Sequence, residues 1–376
     1  MDERLAKTIA AIKEVGADWG VFTSPDGVAY ALGHIASIEA GPSPFAGGPS
    51  LGIVGVNGET GLLVTNLEAG TKSWADVVVT YTGFSFKEPT DIFANYVSEA
   101  TALMQRLKVG GKIAVEQHAL PASILSVLSF IEGGTVAPIE PAFRRHRAIK
   151  TRTEIGLLRE AGLTASAGQN AFLSAACAGM SELELFAAIR LAMETRAGER
   201  LPVTGDLISG LERTSQFMGW PSNRILDTGD PLICDLAPRV AGYWGDSCAS
   251  AMIGQPSTGF EKLFRAARTA LDLALETIRP GLGIDILDQS LQATITRHGY
   301  SYAHHSGHSI GTGVHEWPRL VAYERETLKE DMVIMVEPTA LDPDIGGVRL
   351  EYMLRVTATG CEVLTDFAHR PDIPAR

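Results

Sequence analysis

Apolar positions along this chain change period repeatedly, and each change marks an element. Between Asp2 and about Glu14 they recur at helical spacing, and WGVFTS (19–24) then runs apolar as a buried strand does. LGIVGV and GLLVT flank Asn57-Gly58-Glu59-Thr60, a hairpin signal. The strand VVVTY, a helical stretch from about Asp91 to Arg106, the strand KIAVE and a helix after Pro121 follow. Strands alternating with helices predict an α/β region with a parallel or mixed sheet.

At PAFRRHRAIKTRTEIGLLREAG a basic, polar connector gives way to a long amphipathic helix, which predicts a boundary between domains at 1–147 and 148–376. Thr151 and Glu154 open that helix at capping-box spacing, and Ser181 and Glu184 open the next. Further helices are predicted over about 259–279 and 284–297. The RRHR run reads as a solvated or interdomain surface.

Two stretches near the end of this pattern are hairpins that carry acids. In ICDLAPRVAGYWGDSCASA (233–251), a turn centred on Val240-Ala241 places Asp235 opposite Asp246, on one face with Cβ atoms ~5 Å apart. In VIMVEPTA-LDPDIG-VRLEYMLRV, a turn about Asp344 places Glu337 opposite Glu351 and Thr339 opposite Arg349. Unpaired carboxylates ~4 Å apart at an effective dielectric of ~20 repel by about 4 kcal/mol, so such pairs need a shared proton or a cation. Between the hairpins lies HHSGHSIGTGVHE, with His304, His305, His308 and His315. Four carboxylates and one imidazole suit two divalent metal ions bridged by hydroxide. Cys234 and Cys248 neighbour the aspartates and are expected on the opposite strand face.

These residues resemble an ordered family signature. In GDPLICDLA, GYWGD, HHSGHSIG, VHEWP, VEP and GGVRLEYMLRVT the chain is similar to the pita-bread metallohydrolases: prolidase, aminopeptidase P, methionine aminopeptidase and the metal-free creatinase. The resemblance covers roughly residues 145–365. It implies a creatinase-like α/β amino-terminal domain before a pita-bread catalytic domain, an α/β (α+β) chain. It implies Asp235, Asp246, His308, Glu337 and Glu351 as metal ligands, with Glu337 also taking the proton of the attacking water. His304 and His315 are implied to orient substrate and steady the tetrahedral intermediate. Arg349 is expected to fix Glu351 or to bind an anionic substrate group. Manganese is the first choice of metal, with cobalt, zinc or iron as others.

The expected function is a metal-dependent hydrolase of Xaa-Pro peptides. The alternative is a non-peptide carbon–nitrogen hydrolase of a small amide, lactam or amidine, in the manner of creatinase or ectoine hydrolase. Composition narrows the setting. The 376 residues carry a net charge of -12 and no basic field, which disfavours nucleic acid and anionic membranes as partners. No apolar run approaches the ~20 residues of a bilayer span, and the start of the chain reads as neither a signal nor a transit peptide. Four scattered cysteines without a CxxC pair suit reduced thiols in a cytoplasmic enzyme. The resemblance also implies a homodimer.

The chain departs from its relatives at three places. SGLERTSQFMGWPSN lacks the histidine expected near Phe217 to Gly219, Ala249 stands where an arginine is usual, and GHGIG has become GHSIG with Ser309. An apolar pocket wall is expected there, with weak cleavage of simple Xaa-Pro dipeptides and better turnover of substrates carrying an apolar group beside the scissile amide.

Overall fold

A computed structural model describes residues 2–36, 43–302 and 304–375. The chain divides into two compact units, residues 1–147 and 148–376.

Unit 1 runs α1 (Glu3–Glu14), β1 (Trp19–Phe22), α2 (Pro25–Leu32), β2 (Leu51–Gly55), β3 (Thr60–Thr65) and β4 (Val77–Tyr81). It continues with α3 (Ile92–Leu107), β5 (Lys112–Val115), α4 (Ala122–Ser129), β6 (Thr135–Pro138) and α5 (Glu140–Ala148), which ends at the boundary. The strands form one mixed sheet in the order β4-β3-β2-β1-β5-β6. β1, β2 and β3 pair antiparallel, and the flanking pairs are parallel. Both faces are covered, which is why these strands read as unbroken apolar runs. Phe22, Val54 and Leu62 face a cluster with Leu5, Tyr30 and Phe143, while Val21, Ile53 and Leu63 face one with Tyr96 and Leu103.

One local expectation changes, and one helix has no forerunner in the sequence pattern. The basic connector is helical as α5, and Arg145 and His146 both bind Glu14 at the end of α1, so RRHR is in part a tether within unit 1. α2 was not legible as a helix because Pro25 and Gly27 suggest a turn; Pro25 instead sits in its first turn and the Ser24 hydroxyl caps it.

Unit 2 begins with α6 (Arg152–Ala175), α7 (Glu182–Ala197), β7 (Val203–Thr204), β8 (Leu207–Ser209) and α8 (Leu211–Ser215). β9 (Pro231–Asp235), β10 (Ala237–Val240), β11 (Tyr243–Trp244) and β12 (Cys248–Ile253) make up the aspartate hairpin, followed by α9 (Thr258–Thr277) and α10 (Ile284–Arg297). β13 (Gly307–Ser309), β14 (Glu316–Leu320), β15 (Val333–Val336), β16 (Thr339–Asp342), β17 (Gly346–Arg349), β18 (Tyr352–Val356), β19 (Cys361–Val363) and β20 (Asp372–Ile373) complete the chain. β12 and β9 lie at the centre of β20-β12-β9-β8, and β15 and β18 at the centre of β14-β13-β15-β18-β19. α6, α7, α9 and α10 bury their apolar faces in the core of this unit.

Both capping boxes form. The Thr151 hydroxyl accepts the Glu154 amide at 3.2 Å while Glu154 accepts the Thr151 amide at 2.9 Å, and Ser181 and Glu184 repeat the exchange. Among the described residues no helix is long and apolar enough to cross a membrane.

α6 spans unit 2 and its entry depends on this cap. Thr151→Ala is expected to destabilise unit 2 by about 1 kcal/mol, read as a lower midpoint in urea unfolding. An unchanged midpoint would show that packing alone starts the helix.

Candidate metal centre

The aspartate hairpin turns one residue later than its sequence suggests. Val240 pairs with Tyr243, so the turn is Ala241-Gly242, with φ of 48° and 83°. Two successive positive φ values make the tight turn that matches strand twist, and glycine adopts the second without strain. The shift moves the facing partner by two residues. Cys248, not Asp246, stands opposite Asp235, and Asp246 is displaced one diagonal step along the same face. The expectation for Cys248 is corrected with it: paired residues project together, so Cys248 faces the acids. Only Cys234 turns away, into the main core.

The glutamate hairpin keeps its expected register. Thr339 pairs with Arg349 and Val336 with Tyr352, which sets Glu337 across from Glu351 where the two ladders meet. The hairpins are then joined edge to edge. Glu351 N–H donates to the Cys248 carbonyl at 2.9 Å, and the Ser250 hydroxyl both donates to the Arg349 carbonyl and accepts the Arg349 amide, each at 2.9 Å.

Side chains from the helices fix the rest. Gln169 of α6 donates to the Cys234 carbonyl at 3.1 Å and to the Ser247 carbonyl at 2.9 Å, gripping both arms of the aspartate hairpin. Gly245 lies so close to α6 that a Cβ would meet the Ala161 carbonyl at 2.2 Å, so the hairpin backbone packs directly on the helix just before Asp246. On the far side Tyr302 and Asp288 hold the Ser306 hydroxyl at 2.7 and 2.6 Å, and the Ser306 carbonyl accepts the Glu337 amide at 3.0 Å.

The fold thereby brings the candidate residues together. His308 Nε2 lies 3.7 Å from both Asp246 Oδ2 and Glu337 Oε1. Its Nδ1 is 3.0 Å from the Ser309 carbonyl, an acceptor only, so Nδ1 carries the hydrogen and Nε2 presents a lone pair. His304 Nδ1 is 3.3 Å from Glu337 Oε2 and His305 Nε2 is 3.5 Å from Glu337 Oε1. His315 is exposed, its ring 4.3 Å from that of His308. Arg349 is corrected in its partner: it binds Asp235, and Asp206 at 3.4 Å, rather than Glu351. Glu316, beside His315, belongs to the scaffold through a buried ion pair with Lys150 at 2.9 Å.

Burial dominates the electrostatics. It pushes the carboxyls of Asp246, Glu337 and Glu351 well above the ordinary range, and facing acids add to the rise. Burial also pulls His304 down to about 3 and His305 to about 4, and lowers His308 well below its usual value. Neutral imidazoles beside carboxyls that resist ionisation are a site prepared for a cation. Oε1 of Glu337 and Oε2 of Glu351 are buried without a hydrogen-bond partner among the described residues. Donor atoms fall within 4.8 Å of one another in three groups: Asp246-His308-Glu351, Asp235-Cys248-Glu351 and His304-His305-Glu337. These oxygen-rich donors with imidazole fit divalent metal ions.

His305, Cys248, Asp206 and Gln169 were not assigned from the sequence. Parity with Asp246 marks Cys248; nothing local marks Asp206, which reaches Arg349 from just before β8.

Sequence comparison matches residues 156–358, more than half of the chain, to metallopeptidase family M24. The chain is similar to the Xaa-Pro dipeptidases of Pyrococcus furiosus and Pyrococcus horikoshii, 29% and 30% identical over 229 residues, each 60% of this chain. Those alignments span 66% and 65%, just under two thirds, of the two relatives. In structure the chain resembles the prolidase from Pyrococcus furiosus, with a TM-score of 0.78 and 26% identity over 96% of this chain and 99% of that one. The mixed α/β architecture of both units is therefore shared.

The raised carboxyls set a pH dependence. Between the ordinary and the raised value such a carboxyl binds more proton folded than unfolded, so its stabilising contribution is present at low pH and is lost as pH rises. The depressed imidazoles act in the opposite sense, and only below about 6.5. Above about pH 6.5 the imidazoles are already neutral in the unfolded chain, and the raised carboxyls alone set the slope. The Tm of chelator-treated protein is expected to fall between about pH 6.5 and about 8, and a saturating divalent cation to abolish the fall. A chelated Tm that rises there would contradict the assignment.

Proposed function

The chain belongs to metallopeptidase family M24, and from that premise we propose that it is a Xaa-Pro dipeptidase working on two divalent cations. Asp235, Asp246, His308, Glu337 and Glu351 are the ligands in this reading, with manganese first and cobalt, iron or zinc also compatible. The observation that carries it is the pair of buried carboxylate oxygens on Glu337 and Glu351, without a hydrogen-bond partner among the described residues, beside the Nε2 lone pair of His308.

Divalent ions held by Asp235, Asp246, His308, Glu337 and Glu351 would supply Lewis acidity there, lowering the pKa of a water and polarising the peptide carbonyl. The chain's own groups do the rest. Glu337, within 3.5 Å of two neutral imidazoles, accepts the water's proton and returns it to the departing amine. His304 holds the Glu337 carboxylate in place from one side, and exposed His315 beside His308 receives the substrate carbonyl or carboxylate. Arg349 fixes Asp235 by a charge-assisted bond. The non-peptide carbon–nitrogen hydrolase is not favoured, because the relatives matched are named as Xaa-Pro dipeptidases.

The pocket wall carries the specificity. Phe217 lies edge-on to His304 at 5.2 Å between ring centres, and Met218 and Trp220 beyond it are 61% and 82% exposed. These surfaces favour an apolar residue next to the scissile bond. With saturating manganese, kcat/KM for Phe-Pro should exceed that for Ala-Pro at least about tenfold, ~1.4 kcal/mol, and Glu351→Ala should abolish both while circular dichroism is kept. Equal turnover of the two dipeptides would remove the wall from the account; activity surviving in Glu351→Ala would remove the metal centre.

The assembly proposed is a homodimer, on the strength of the family resemblance. Light scattering at micromolar concentration should give twice the chain mass, and a fully active monomer would overturn it.

A further inference from the structure

The register that displaces Asp246 leaves a thiol facing the acids. Cys248 stands opposite Asp235 in the β9–β12 ladder, and its carbonyl accepts the Glu351 amide, so the three residues meet where the hairpins join. Cys248 Sγ and one carboxylate oxygen each from Asp235 and Glu351 all lie within 4.8 Å of one another. The Cys248 residue is 0% exposed. Glu351, 1% exposed, keeps Oε2 without a hydrogen-bond partner among the described residues.

A buried cysteine is ordinarily a small hydrophobe. Cys248 does pack against Ile208 and Ile233. Its sulfur, however, also accepts from Arg349 Nε at 3.4 Å, the guanidinium that binds Asp235. The thiol is thus held in a polar group of donors. Cys234, one residue before Asp235, provides the contrast, because its side chain lies in the apolar core.

Two donor groups share Glu351: Asp246 with His308, and Asp235 with Cys248. We propose that Cys248 is a thiolate ligand to the cation held by Asp235 and Glu351, making the two halves of the centre chemically unequal. This rests on the two-cation reading above. On binding, the Cys248 S–H bond breaks, its proton passes to solvent and a sulfur lone pair forms the bond to the cation, with no electron transferred; a coordinating thiol is deprotonated outright. Sulfur at one position shifts its preference from manganese toward cobalt or zinc, whereas the imidazole–carboxylate position keeps an oxygen-rich shell suited to manganese.

The test is a cobalt(II) titration of metal-free protein, native and as Cys248→Ser and Cys234→Ala, followed by absorbance and by equilibrium dialysis. Expected is a near-ultraviolet sulfur-to-cobalt charge-transfer band in the native protein and in Cys234→Ala. Cys248→Ser should lose that band while still taking up cobalt with visible ligand-field bands. Ligand-field bands without the sulfur band in native protein overturn this proposal and leave the carboxylate centre standing, as does a sulfur band that persists in Cys248→Ser. Absence of cobalt uptake in native protein overturns both readings. Should Cys248→Ser not fold, zinc X-ray absorption on the native protein decides alone: a sulfur shell at about 2.3 Å supports the ligand, and a shell of nitrogen and oxygen only rejects it.

Discussion

Three carboxyls, Asp246, Glu337 and Glu351, are each at most 5% exposed and gather around His308. Ionised together without a counter-charge, they would repel by several kcal/mol per close pair, even at the generous dielectric that suits protein interiors. Nothing about stability favours such an arrangement, since apolar residues of similar volume cost less to bury. The chain tolerates it because the strands that carry the acids are over-determined. Gln169 grips both arms of the aspartate hairpin, Ser250 binds β17 at both its donor and its acceptor, and Ser306 holds the Glu337 backbone from behind a further buried pair.

Preorganisation of this kind explains why the histidines are neutral. An imidazolium among these acids would supply the missing charge, yet burial lowers His304, His305 and His308 and leaves the counter-charge to something else. Arg349 neutralises part of the cluster at Asp235 and Asp206. The remaining vector of unpartnered oxygens points at Glu351 and Glu337. Divalent cations would answer it with charge and coordination at once.

Much of this was legible in the residues. Alternating strands and helices foretold the mixed sheet of unit 1, and Thr151-Glu154 and Ser181-Glu184 foretold two helix starts that form as full capping boxes. The LDPDIG turn foretold the Glu337–Glu351 register because proline and aspartate restrict where the chain can reverse. The aspartate hairpin resisted the same reading. Val-Ala-Gly offers two turn centres one residue apart, and the choice is made by the positive φ that Gly242 accepts without strain. Such a slip of one residue in the turn changes the facing partner by two, which keeps both aspartates on one face and moves Cys248 into the cluster. Contacts such as Asp206–Arg349 and Gln169–Ser247 join residues far apart in sequence and leave no local pattern to read.

The central claim is that Glu351 is shared by two cations. Crystals of the protein soaked in manganese and measured at the manganese absorption edge test it directly. Two anomalous peaks are expected, both at coordinating distance from Glu351, one also touching Asp246 and His308 and the other Asp235. Peaks confined to surface carboxylates, or a single peak that leaves Glu351 unliganded, would contradict it.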